Sequence, residues 1–146
     1  LKSLVADERL DEARRLLPDQ VPERPDFLAF GASLAFRLDD YQASLAALEK
    51  LITLGVEFDE EQQFIYAESL YQNGKWEEAA NAYEKITDQY SFYDQSLYRQ
   101  AELARKAGND KKALSFLQDI VETGKRSRWK EFAERELQFI EAARRM

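Results

Sequence analysis

The chain has 146 residues, 45% hydrophobic and 34% charged, with a formal net charge of −7 and neither cysteine nor histidine. Its composition suits one globular domain or about four ~34-residue repeats, and excludes disulfides, Cys–His nucleophiles, histidine bases and the usual zinc sites. The acidic balance opposes nucleic-acid binding, and no apolar run approaches the ~20 residues that span a bilayer.

In chain order, the apolar periodicity predicts helices over 1–6, 8–17, 26–37, 41–54, 60–72, 76–88, 92–107, 110–123 and 127–145. Asp7–Leu17 reads as the second helix of a unit, with Ala13 at a small-residue position and only Leu1–Ala6 as its partner. The chain does not begin with Met and opens part-way through a unit. It is therefore expected to be a piece of a larger bacterial protein, with any targeting signal upstream, and the compartment (cytoplasm or bacterial periplasm and envelope) stays open. Pro18, Pro22 and Pro25 mark a rigid turn between units, since proline interrupts helix interiors and suits a first helical turn.

Three copies of one pattern follow. Asn73–Ile86 aligns with Ala107–Ile120 at an offset of 34 residues, and Leu38–Leu51 precedes the first of these at an offset of 35. Repetition of this period in a helical pattern means stacked helix pairs. First helices share a small residue at Ala32, Ala67, Ala101 and Ala133. Second helices share one at Ser44, Ala79 and Ala113, where helices approach closely. A large residue follows at Leu48, Tyr83 and Leu117, and another at Leu51, Ile86 and Ile120, all on one face. Gly74 and Gly108 stand at the reversals, where a helix end favours left-handed dihedrals, and Asp39 takes that place in the earlier copy.

The domain reading is a truncated unit and proline-rich turn over 1–25, repeats over 26–57, 60–91 and 92–124, and a C-terminal capping helix over 125–146. On that last helix Trp129, Phe132, Ala133, Leu137 and Ile140 form an apolar stripe. It reads as a cap, with docking onto a partner or a second copy (self-association) as the alternative.

The spacing resembles the tetratricopeptide repeat, a 34-residue helix–turn–helix unit with small residues at fixed positions and an aromatic after the turn. Ala67, Trp76, Ala79 and Tyr83 carry the likeness, as do Ala101, Ala113 and Leu117; Ala32, Tyr41, Ser44 and Leu48 follow it less strictly. Leu51, Ile86 and Ile120 depart from it, standing where the family has a third small residue, and the closing proline is missing after the central units. The resemblance implies an all-α, right-handed α-α superhelix whose concave face is lined by first helices. It implies a non-enzymatic scaffold that holds a peptide or protein and assembles a larger complex, with no cofactor and no metal. The alternative is a regulatory or substrate-docking portion of a larger enzyme or of an envelope or secretion assembly, with its chemistry elsewhere.

Carried over position by position, the family's groove falls on Ala29, Ser33, Phe36 and Arg37, then Phe64, Glu68, Tyr71 and Gln72. It continues on Tyr98, Glu102, Arg105 and Lys106, with Lys130 and Glu134 from the last helix. Phe36, Phe64, Tyr71 and Tyr98 make an aromatic ladder of the kind favoured at binding hot spots, with packing between repeats as the competing reading. The clamp by which some members hold a terminal carboxylate is missing, because its positions carry Ala29, Ser33, Phe64 and Glu68. Three other clusters read as structural. Glu57, Asp59, Glu60 and Glu61 suit a helix N-terminus; Lys125–Lys130 reads as a loop and helix start, with base or lipid contact as the sharper option. Tyr90–Tyr93 reads as an aromatic turn.

Overall fold

The computed structural model describes residues 24–123 and 127–145. Among them are seven α-helices and no strand: α1 (Pro25–Arg37), α2 (Tyr41–Thr53), α3 (Glu60–Gln72), α4 (Trp76–Glu84), α5 (Tyr93–Lys106), α6 (Asp110–Glu122) and α7 (Arg128–Arg144). The helices expected over 1–6 and 8–17, the turn at Pro18 and Pro22, and Lys125 and Arg126 of the basic run lie outside the described residues.

The chain divides into two compact units, Leu1–Glu57 and Phe58–Met146. In the first, α1 packs on α2, burying Leu28, Ala32 and Ala35 of one helix and Ser44, Leu45, Leu48 and Leu51 of the other. In the second, each helix packs on the next from α3 to α7, and α7 also reaches α5. The small positions are closed: Ala67 and Ala79 are 0% exposed, Ala101 1% and Ala113 2%. Leu70, Tyr83, Leu117 and Ile120 are also fully buried, each aliphatic one contributing about 1.5–3 kcal/mol. Leu97, Ala101, Leu117, Ile120 and Ala133 form the core at the end of the array, with Leu137 and Ile140 packed against it. Phe139, outside the expected stripe, is 73% exposed.

The reversals show why the period exists. At Gly74 (φ 76°) the N–H of Lys75 donates to Leu70 O (2.9 Å) and that of Gly74 to Tyr71 O (3.1 Å), satisfying carbonyls the helix leaves over. Gly108 (φ 80°) repeats the geometry, with Asn109 N–H to Ala104 O at 2.8 Å. Asp39 adopts the same left-handed conformation (φ 59°) without glycine's freedom, its carboxylate accepting from the Tyr41 hydroxyl at 3.0 Å. Polar caps start two of the helices that follow: Asp40 accepts from Ala43 N–H and Asn109 from Lys112 N–H, whereas Lys75 before α4 makes no side-chain cap.

One element differs from expectation. The helix expected over 76–88 ends at Glu84, although Ile86 is still buried. The chain is diverted at Thr87, whose N–H and hydroxyl both donate to Glu60 Oε1 of α3 (3.1 and 2.7 Å).

Candidate functional site

In the second unit the first helices of successive repeats, α3, α5 and α7, are tied by a row of carboxylates. Glu68 on α3 is 4% exposed. Its Oε1 accepts from the Tyr83 hydroxyl of α4 and from Arg99 Nε of α5 at 3.0 Å. Arg99 also donates through Nη1 to Glu102 at 3.1 Å, and its guanidinium stacks 4.4 Å from the Tyr71 ring centre. The Tyr71 hydroxyl donates to the other oxygen of Glu102 at 2.7 Å. One repeat on, Glu136 of α7 accepts from the Tyr98 hydroxyl (2.9 Å) and from Arg105 (3.4 Å). Tyr98 packs on Trp129 and Phe132 of α7, ring centres 5.3 and 6.0 Å away.

Glu68, Glu102 and Glu136 follow each other at 34-residue intervals, as do Tyr71 and Arg105. The links Tyr71–Glu102 and Arg105–Glu136 are thus one inter-repeat contact made with two different donors. Their electrostatics agree. Burial opposes the Arg99 charge, but Glu68 and then Glu102 more than offset it and hold the guanidinium above its ordinary range. Burial, then the bond to Glu136, pushes the Tyr98 phenol up to about 12. Tyr71 is raised by burial and then by Glu102, and Tyr83 by burial and then by Glu68.

The expected groove residues are not equivalent. Tyr71, Tyr98 and Glu102 are half-buried and Arg105 is exposed, all on this face; Gln72, Lys106 and Glu134 are exposed, and Lys130 is half-buried. Phe64 is a correction. Only 4% exposed, it lies among Tyr83, Tyr90 and Phe92 with ring centres 5.2–6.5 Å away, so it is core rather than a contact surface. Glu68 is likewise internal, used by Arg99 and Tyr83. Phe36, edge-on to Tyr41 at 5.8 Å, and exposed Arg37 belong to the first unit, with Ala29 and Ser33 partly buried there. Arg99 and Glu136, which bind the row together, escaped the sequence reading; the 34-residue step from Glu102 pointed to Glu136.

The remaining clusters have local roles. Asp59 caps α3 through a reciprocal pair with Gln62 (2.8 and 3.0 Å), and Glu60 and Glu61 fill its first turn, where the helix dipole favours anions. Ser127 caps α7, and Tyr90 and Phe92 roof Phe64. Among the described residues no group of three or more Asp or Glu is placed to hold a metal ion.

Paired first helices tied at a 34-residue step are the expected unit, and the family comparison agrees: residues 67–127 match the tetratricopeptide-repeat model. This stretch is a tetratricopeptide-repeat array. Among solved structures, the crystal structure of MamA is similar, with a TM-score of 0.64 at 14% identity over 81% of this chain and 68% of that one. At that identity the likeness concerns the fold. No curated protein matches the sequence. Tetratricopeptide repeats and this all-α fold support a protein–protein interaction scaffold in general, and neither points to catalysis.

Proposed function

We propose that the array holds a peptide or protein partner along the face formed by α3, α5 and α7, with Tyr71, Tyr98, Glu102 and Arg105 as its contact residues. The observation that carries this reading is the tied row itself. Its aromatic and charged side chains are already fixed by Glu68, Glu102 and Glu136, so a partner does not have to immobilise them, and such pre-organisation raises affinity. The faces of Tyr71 and Tyr98 remain partly open, and Tyr and Arg are the side chains that dominate interface energetics.

The test uses residues of this face that are exposed, so that the fold is spared. Gln72→Arg with Arg105→Glu is compared with the unaltered chain as bait in the source cells, after equal melting curves are established. Proteins held by the unaltered chain should be lost by the double variant and kept by Lys111→Glu on α6, which is exposed elsewhere. If the double variant captures the same set and Lys111→Glu does not, the partner face is misassigned.

A further inference from the structure

A small cleft opens beside Arg105, where α5 and α7 end and α6 begins. It encloses about 180 Å³ and is lined by Arg105, Asp110, Ala113, Leu114, Ile140 and Arg144. Helical spacing brings them together: Asp110, Ala113 and Leu114 share one face of α6, and Ile140 and Arg144 one face of α7. The floor is firmly held, because Ala113 is 2% exposed and Ile140 packs on the core at the end of the array.

Three observations describe what the cleft would take. First, its two cations are poorly neutralised. Arg144 makes no hydrogen bond or ion pair with any described residue, whereas the neighbouring Arg145 is bonded to Glu141 at 2.9 Å. Arg105 has the 3.4 Å bond to Glu136, which uses one of its five N–H groups. Cations suit the last turns of α5 and α7, but the helix dipole needs only their charge and leaves the other N–H groups unbonded. Second, Asp110 offsets one of the two arginines. A single negative charge therefore balances the lining, and a phosphate dianion would overshoot it beside Asp110. Third, apart from these charges the lining is aliphatic, with no uncharged polar side chain. A terminal carboxylate would bring its own main-chain amide onto Leu114 and Ile140 and leave it unbonded there. A side-chain carboxylate arrives on an apolar stem instead.

We infer that this cleft receives a glutamate side chain of a peptide held on the α3–α5–α7 face. Its carboxylate bridges Arg105 and Arg144, and its two methylenes lie on Leu114 and Ile140. The inference rests on the reading of that face given above and names the chemistry of the partner there. The volume, below that of sites for whole small molecules, suits one side chain. None of the lining residues is a position of the family's terminal-carboxylate clamp.

The probe is the peptide N-acetyl-Ala-Glu-Ala-amide, titrated into the whole ¹⁵N-labelled chain. The amides of Ala113, Leu114 and Ile140 should shift together and saturate. The same peptide with glutamine, equal in shape but uncharged, should bind at least about tenfold more weakly. With aspartate, one methylene shorter, the loss should be about fourfold. Arg144→Gln should weaken the glutamate peptide about tenfold. Arg145→Gln removes the same charge from a side chain held by Glu141 and should leave the affinity within about twofold. N-acetyl-Ala-Ala-Ala with a free terminal carboxylate, and the phosphoserine peptide, should both bind more weakly than the glutamate peptide. No saturable shift, equal affinity for glutamate and glutamine, equal losses from the two arginine variants, or tighter binding of either of the last two peptides overturns the assignment. The α3–α5–α7 face stands in that case if Gln72→Arg with Arg105→Glu still loses the cellular partners. If those partners are kept while Arg144→Gln weakens the glutamate peptide, the face fails as the partner surface and the cleft keeps its ligand.

Discussion

Replacing Arg99 by methionine isolates the energetic centre of the array. The guanidinium bonds Glu68 at 3.0 Å and Glu102 at 3.1 Å, and its side chain is 18% exposed against 6% for Glu68. Methionine keeps most of the aliphatic stem, so packing beside Tyr71 is largely retained while the charge goes. Glu102, at 28% exposed, can turn to water, but Glu68 is left with only the Tyr83 hydroxyl. Removing one partner of a buried pair costs about 3–5 kcal/mol, mostly through the stranded charge. With Arg99 itself partly hydrated, the lower end applies, about 3 kcal/mol. At ~2–4 °C per kcal/mol for a chain of this size, the melting temperature should fall by about 6–12 °C. Thermal unfolding followed by far-UV circular dichroism measures that shift, and urea unfolding measures the free-energy loss. Adding Glu68→Gln to Arg99→Met removes the stranded charge while keeping an acceptor for Tyr83, and should restore more than half of the loss. If Arg99→Met lies within about 0.5 kcal/mol of the unaltered chain, or the double variant is no more stable than the single, the ion pair does not hold α3 to α5 as described.

Three further outcomes follow from the packing. Ala79→Leu should lose about 1–3 kcal/mol by overpacking a position that is 0% exposed, and an unchanged denaturation midpoint would refute the close approach assigned there. Phe64→Ala should lose about 3–5 kcal/mol as a core truncation; a midpoint unmoved in urea would return Phe64 to the surface. Tyr71, Tyr83 and Tyr98 all ionise less readily in the folded chain than the ordinary value of 10.0. Above that pH the unfolded chain sheds phenolic protons that the folded one keeps, so stability should fall from pH 10 towards 12. Tyr98→Phe should make that decline shallower; a flat profile over this window in the unaltered chain would contradict the shifts.

The helices were legible because packing repeats itself. Each close approach needs a small residue, so Ala67 and Ala101, or Ala79 and Ala113, recur in register and are all found buried. The face of the array was less legible because exposure does not follow the period. Phe64 and Tyr98 stand 34 residues apart, yet Phe64 is roofed by Tyr90 and Phe92 of the following turn, while Tyr98 reaches Glu136 at its open edge. Arg99 was invisible for the opposite reason. Its counterpart 34 residues earlier is Ile65, a core residue, so no repetition draws attention to it. In the last helix, aligning Ala133 with Ala101 put Glu134 in the carboxylate's place, whereas the side chain that closes the row is Glu136.

The same residues that join the repeats also set terms for anything bound to the proposed face. Glu68, Glu102 and Glu136 already accept from Arg99, Tyr71, Tyr98 and Arg105, so a basic segment would have to displace a donor before gaining one of these carboxylates. At Glu68 that exchange would break a buried pair, at a cost of several kcal/mol. The step between α5 and α7 is looser: Arg105 is 46% exposed and its bond to Glu136, at 3.4 Å, is the longest of the row. An acidic side chain can take Arg105 there by giving up only a surface pair, worth ~0–1 kcal/mol. Tyr98 holds Glu136 in place independently, so the carboxylate would not be stranded by the exchange. On physical grounds, then, the proposed face favours a partner that brings an acidic group to Arg105 and an apolar or aromatic one to the partly exposed rings of Tyr71 and Tyr98.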